Sequence, residues 1–257
     1  MSKIILITSG KGGAGKTTSA INLGAALNSF GEDVTIVDAN LTTPNVGLHF
    51  GVPIVPVNFN HVLNGKAKID EAIYEHESGT KIIPSSLSVR ELDKIKTHRL
   101  PEISKRLKKI SDYIIFDSAA GLGSEVLDVM DEADDIIIVT NPEMPAVTDA
   151  LKTAKVAEER GKNVIGVIVT KARGSSTEMP IKSIEEMLEL PILGIIPEDF
   201  AIKKALVRKD AVVHTHANSK AARAYKNIAA GISGRKPGKK VNYRKGFWAR
   251  LREAFSS

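Results

Sequence analysis

"SGKGGAGKTT", residues 9–18, stands directly after the apolar run "KIILIT" (3–8) and directly before a helical pattern over 17–30. Gly10, Gly15, Lys16 and Thr17 satisfy the phosphate-loop spacing G-x-x-x-x-G-K-[ST], in the strand-before, helix-after setting the motif requires. The residue types follow from the chemistry. Gly10, Gly12, Gly13 and Gly15, with the small Ala14 among them, let backbone N–H groups converge on phosphate oxygens, and the helix N-terminus adds its positive end. Lys16 is placed to reach the β- and γ-phosphates, and the Thr17 hydroxyl to ligate Mg²⁺.

Working outward, short apolar runs rich in Ile and Val recur at 33–38, 80–84, 112–117, 134–140, 164–170 and 192–196. Continuous rather than alternating apolar runs suit strands buried on both faces of a mostly parallel sheet. Helical patterns over 88–110, 123–133, 146–160, 180–189 and 217–232 separate them, and Gly31 and Gly161 stand where helix stops are expected. The expected fold is α/β: a single doubly wound, mostly parallel sheet with helices on both faces. Ligands of such sheets sit beyond the carboxyl ends of the strands.

The chain has 257 residues, no cysteine and a formal charge of +6. The absence of thiols excludes disulfides, thiolate metal sites and cysteine-held iron–sulfur clusters. From Gly234 onward there are eight basic residues against one acid, a local +7 that leaves residues 1–233 at −1. Such asymmetry points to a basic arm for nucleic acid or for an acidic membrane surface. The start, "MSKIILITSGKGG", has too short an apolar stretch for a signal peptide, so a cytoplasmic protein is expected. The organisation read from this is a phosphate-loop domain over 1–233, a basic linker over 234–246 and an amphipathic helix over 247–257.

Lys11, inside the loop, makes "GKGGAGKTT" resemble the deviant phosphate loop of the MinD/ParA family of ATPases. "TIVDAN" (35–40), "DYIIFDSAAGLG" (112–123), "TNPEMPAVTDALK" (140–152) and "LGIIPED" (193–199) resemble, in order, the family's switch I, switch II, Asn-Pro-Glu and base-loop segments. The resemblance implies ATP and Mg²⁺ as ligands and a homodimer in the ATP-bound state, with Lys11 crossing to the partner subunit's nucleotide. It further implies that Asp38 and Asp117 hold Mg²⁺, that Thr18 contacts the α-phosphate and that Gly121 senses the γ-phosphate. Thr170 would then face the base, and the backbone of Pro197, Glu198 and Asp199 would line it.

The pattern also breaks. Asn40 stands where the family has a switch I aspartate beside the attacking water; an amide orients water but accepts a proton poorly, so slow hydrolysis is expected. Ala119 replaces a switch II proline. Thr170-Lys171 is compatible with a guanine-reading sequence, but Arg173 occupies the place of the discriminating Asp and has no acceptor for guanine N–H groups, which favours ATP.

On a helix, Phe247, Trp248, Leu251 and Phe255 share one face, bordered by Arg250 and Arg252, with Glu253 opposite. That is the pattern of an interfacial helix on an anionic membrane, and it resembles the membrane-targeting tail found in the family. Readings as a cap on the protein's own core or as a nucleic-acid arm compete with it; nucleic acid is the less expected partner, because the body is nearly neutral. The expected function is an ATPase that is peripheral on the cytoplasmic face of the cell membrane, positions a cellular machine and works with a protein partner the sequence does not identify. A flagellar-placement ATPase, a DNA-partition ATPase and a barely hydrolysing ATP-bound scaffold are the alternatives.

Overall fold

The computed structural model describes residues 2–88 and 96–235. The linker and amphipathic helix expected over 234–257 lie outside the described residues, apart from Gly234 and Arg235.

Among the described residues, strands and helices alternate: β1 (Lys3–Thr8), α1 (Lys16–Ser29), β2 (Val34–Ala39), α2 (Val46–His49), α3 (Phe59–Leu63), β3 (Tyr74–Glu75), β4 (Lys81–Ile83), α4 (Leu100–Leu107), β5 (Tyr113–Ser118) and α5 (Ser124–Glu132). Then follow β6 (Asp135–Thr140), α6 (Met144–Glu159), β7 (Asn163–Ala172), α7 (Ile181–Leu188), β8 (Ile192–Pro197), α8 (Phe200–Val207), α9 (Val212–Thr215) and α10 (Lys220–Ser233). The sheet order is β3-β4-β2-β5-β1-β6-β7-β8. All neighbours are parallel except β3 and β4, which form an antiparallel edge.

The continuous apolar strands are explained by burial on both faces. Along β1, Ile4 and Leu6 enter a core shared with α4, α5, α6 and α7, while Ile5 and Ile7 enter a second core shared with α1, α9 and α10. All four are fully buried, and each such side chain contributes about 1.5–3 kcal/mol of transfer free energy. After β5 the chain crosses over β1 to continue at β6, so the strand order reverses about β1. The crevice outside its carboxyl end is therefore the expected ligand site, and "SGKGGAGKTT" begins there.

Every strand expected from the apolar runs is present. Gly31 and Gly161 follow the ends of α1 and α6 with φ of +89° and +66°, as helix stops do. The helix expected over 88–110 is shorter: a 3-10 turn at Thr97–Arg99 leads into α4, whose first turn holds Pro101, and residues 89–95 of that pattern lie outside the described residues. Proline suits a helix start and breaks a helix interior. The sequence patterns did not reveal α2, α3, α8, α9 or β3. Among the described residues, no helix is long and apolar enough to cross a membrane.

Candidate functional site

Two glycines fix the shape of the loop. Gly15 caps α1 with φ 99° and ψ 24°, a left-handed conformation that disfavours any side chain. Gly10 is required for space: a Cβ there would lie 2.4 Å from the backbone oxygen of Asp149 on α6. The loop carbonyls are tied from beneath. Thr170 Oγ1 donates to the Ala14 carbonyl at 2.5 Å and accepts from Asn141 Nδ2 at 2.9 Å, and Lys171 Nζ donates to the Gly13 carbonyl at 2.7 Å. The first-turn N–H groups of α1 have no intrahelical acceptor, as at any helix start. Lys16 is only 8% exposed and donates to Ser9 Oγ at 3.0 Å. Burial lowers the pKa of its ammonium, and the charge of Asp117 partly opposes this.

Asp38 and Asp117 are register partners at the ends of β2 and β5, and both are fully buried. Asp38 is heavily hydrogen-bonded: Oδ1 accepts from Asn40 N–H at 3.2 Å, and Oδ2 from the N–H groups of Asn45 and Val46 at 2.8 and 2.9 Å. Burial, then the neighbouring Asp117, nevertheless pushes its carboxyl well above the usual range, against those three N–H groups. Asp117 is pushed up to about 7, chiefly by burial, with the Thr17 hydroxyl and the Lys16 ammonium pulling the other way. Although Thr17 lies near enough to act on its charge, neither Asp117 oxygen has a partner of good hydrogen-bond geometry.

The loops that follow β2 and β5 adjoin this pair. Asn40, 7% exposed, donates from Nδ2 to the Thr43 carbonyl at 2.7 Å and to Thr43 Oγ1 at 3.1 Å. Its Oδ1 accepts from Thr43 N–H at 3.1 Å. Gly121, at φ +86°, donates its N–H to the Ser9 carbonyl at 3.0 Å, which docks the loop after β5 on the phosphate loop. Lys11 stands at the surface, where its Nζ meets Glu143 Oε2 at 3.3 Å between two well-exposed side chains.

A cleft of about 360 Å³ opens above the loop, lined by Gly12, Gly13, Gly15, Lys16, Thr17, Thr18 and Asn40. Thr43, Asn45, His49, Ala120 and Lys171 also line it, and no sequence motif marked Thr43, Asn45 or His49. His49 Nδ1 bonds to the Asn45 carbonyl at 2.9 Å, and burial lowers the pKa of its ring. Thr170 is not among the lining residues; its hydroxyl lies under the loop instead. Nor are Pro197, Glu198 and Asp199. Glu198 pairs with Arg173, and Asp199 accepts from the N–H groups of Ala201 and Ala221 at 2.9 and 3.1 Å, which ties the starts of α8 and α10 together. Phe247, Trp248, Arg250, Leu251, Arg252 and Phe255 lie outside the described residues.

A glycine loop between a central strand and a helix, with a buried lysine and paired strand-end carboxylates, defines a P-loop nucleotide-binding protein. Residues 5–212 match the CobQ/CobB/MinD/ParA nucleotide binding domain, and the chain belongs to that family. Within it the chain is most like MinD. It is 32% identical over 242 residues to the septum site-determining protein MinD of Synechocystis, covering 91% of this chain and 90% of that one. An uncharacterised ATP-binding protein of Methanocaldococcus jannaschii is 39% identical over 236 residues, covering 92% and 89%. The structure of MinD from Pyrococcus horikoshii, complexed with Mg-ADP, superposes with a TM-score of 0.86 at 34% identity, covering 90% and 96%.

The residues present fit a magnesium nucleotide. The two unpartnered, buried oxygens of Asp117 beside Thr17 call for a cation. With Asp38 the local donors are all hard oxygens, and Mg²⁺ characteristically takes one or two carboxylates plus substrate phosphates.

Proposed function

We propose that the chain is a MinD-like ATPase whose ATP-dependent dimerisation controls reversible attachment to an anionic membrane surface and thereby positions a cellular machine. The observation that carries this reading is Lys11. It stands on the surface, held only by an exposed ion pair to Glu143, and such pairs contribute about 0–1 kcal/mol. Exchanging Glu143 for the nucleotide of a partner subunit therefore costs little.

The bound magnesium nucleotide supplies the γ-phosphoryl group and the cation that neutralises it. The chain's own part is positioning. Lys16 brings one buried cation to the phosphates, Thr17 and Asp117 offer oxygens to the metal, and Asp38 holds the first switch loop and α2 in place through three N–H groups. Asn40 spends both ends of its amide on Thr43, and an amide at this position accepts a proton from water poorly. This favours slow hydrolysis and a long-lived ATP state, and it keeps a weakly hydrolysing scaffold as the second reading.

On the membrane side, each tail cation near an anionic surface contributes about 1 kcal/mol, and partial burial of Phe247, Trp248, Leu251 and Phe255 adds a few more. Less the cost of ordering, one tail binds weakly. Two tails on one closed dimer act together, because the second meets lipid at high effective concentration. The body is cytoplasmic on this account, and hydrolysis releases it from the membrane.

Light scattering on the purified chain tests the dimer step. ATP or a non-hydrolysable analogue should double the mass and ADP should not. Lys11→Ala should stay monomeric while still binding nucleotide; a monomer in every nucleotide state would refute the proposal.

A further inference from the structure

Helix α8 turns apolar side chains towards solvent. Phe200 and Val207, seven residues apart and so on one face, are 66% and 81% exposed. The opposite face, Ala201, Ile202 and Ala205, packs into the core beside α9 and α10. Exposed Lys203 and Lys204 border the outward pair, and Lys204 Nζ lies 5.4 Å from the centroid of the Phe200 ring. Exposed Arg208 and Lys209 follow, and no acid stands within 200–209. Asp199, just before the helix, is engaged by the N–H groups of Ala201 and Ala221. The nearly neutral body thus carries a concentrated cationic patch built around an exposed aromatic stripe.

We propose that α8 is a second lipid-contacting element, which seats its Phe200–Val207 stripe in the headgroup region of an anionic membrane while Lys203 and Lys204 reach the acidic headgroups. An apolar stripe edged by lysines is the pattern of a helix lying in the interface. Phosphate-tracking nucleic-acid surfaces need the cations but have no use for the stripe. The inference rests on the membrane reading above but not on the tail itself. Eleven residues, 236–246, separate Arg235 from Phe247. Fully extended they reach about 36 Å, more than the roughly 21 Å length of α10, so tail and α8 can meet one surface.

The test uses the full chain with ATP and vesicles of neutral lipid alone or mixed with phosphatidylglycerol. Phe200→Trp, in a Trp248→Phe background, should shift its emission to the blue and be quenched by brominated lipid only on the anionic vesicles. An unchanged spectrum there overturns the proposal. Phe200→Ser with Val207→Ser should lower partitioning roughly tenfold and leave ATP turnover unchanged. If deleting 243–257 abolishes binding while the double variant binds normally, the tail reading stands and this inference falls. If the double variant loses binding and the deletion does not, α8 stands and the tail reading falls. Lys203→Glu with Lys204→Glu, if it abolished duplex DNA binding and left vesicle binding intact, would assign the patch to nucleic acid and overturn the lipid assignment.

Discussion

Asp38 and Asp117 stand opposite one another in register on β2 and β5, both fully buried, yet one carboxylate is hydrogen-bonded to three N–H groups and the other to none. The environments separate their tasks. Asp38 organises the loop after β2 and the start of α2, while Asp117 is left as the open oxygen donor next to Thr17 and Lys16.

This asymmetry sets a pH dependence. Asp117 is raised to about 7 in the fold, above the ordinary carboxylate value of about 3.9 in the unfolded chain. The folded state therefore retains a proton that the unfolded state has already released. Its contribution to stability is full below about pH 4 and is lost as pH rises through about 7. Urea midpoints of the nucleotide-free protein should fall for the wild type relative to Asp117→Asn between pH 5 and 8. Parallel profiles would mean that burial does not hold the proton there.

Asn40 has two consequences that a single substitution separates. Asn40→Asp restores a proton acceptor, so turnover at saturating ATP should rise about tenfold or more. It also loses the donor to the Thr43 carbonyl and sets a negative charge against that oxygen, so KM should rise too. Steady-state kinetics resolve the two, and an unchanged kcat would contradict the role proposed for Asn40.

Thr170→Val removes the hydroxyl under the phosphate loop and leaves the Ala14 carbonyl and the Asn141 amide without that partner. Asn141 Nδ2 keeps its bonds to the Thr170 and Ala14 carbonyls at 3.2 and 3.5 Å, so losing the hydroxyl costs about 1 kcal/mol. Thermal unfolding should move down by several degrees, and nucleotide affinity should weaken although Thr170 does not line the cleft. A loss of affinity with unchanged stability would instead favour direct contact with the base.

The sheet and the phosphate loop were legible because their signals are local: continuous apolar runs for strands buried on both faces, and glycines at fixed spacing before Lys16. The elements that escaped notice are held by tertiary contacts. Helix α2 is one turn long, and its first N–H groups are taken by Asp38 from a different strand. Helix α8 presents apolar residues on both faces, so the polar side that usually reveals a surface helix is missing. His49 reaches the cleft only through the path of the chain, and no spacing announces it. The same holds for Thr170, whose position in sequence suits a base contact but whose hydroxyl the fold turns beneath the loop.

Vesicle co-sedimentation of the full chain measures directly whether nucleotide state governs attachment to the membrane, as proposed. With anionic vesicles, ATP should carry most of the protein into the pellet and ADP should leave it in solution. Equal partitioning in the two nucleotide states would refute nucleotide-governed attachment.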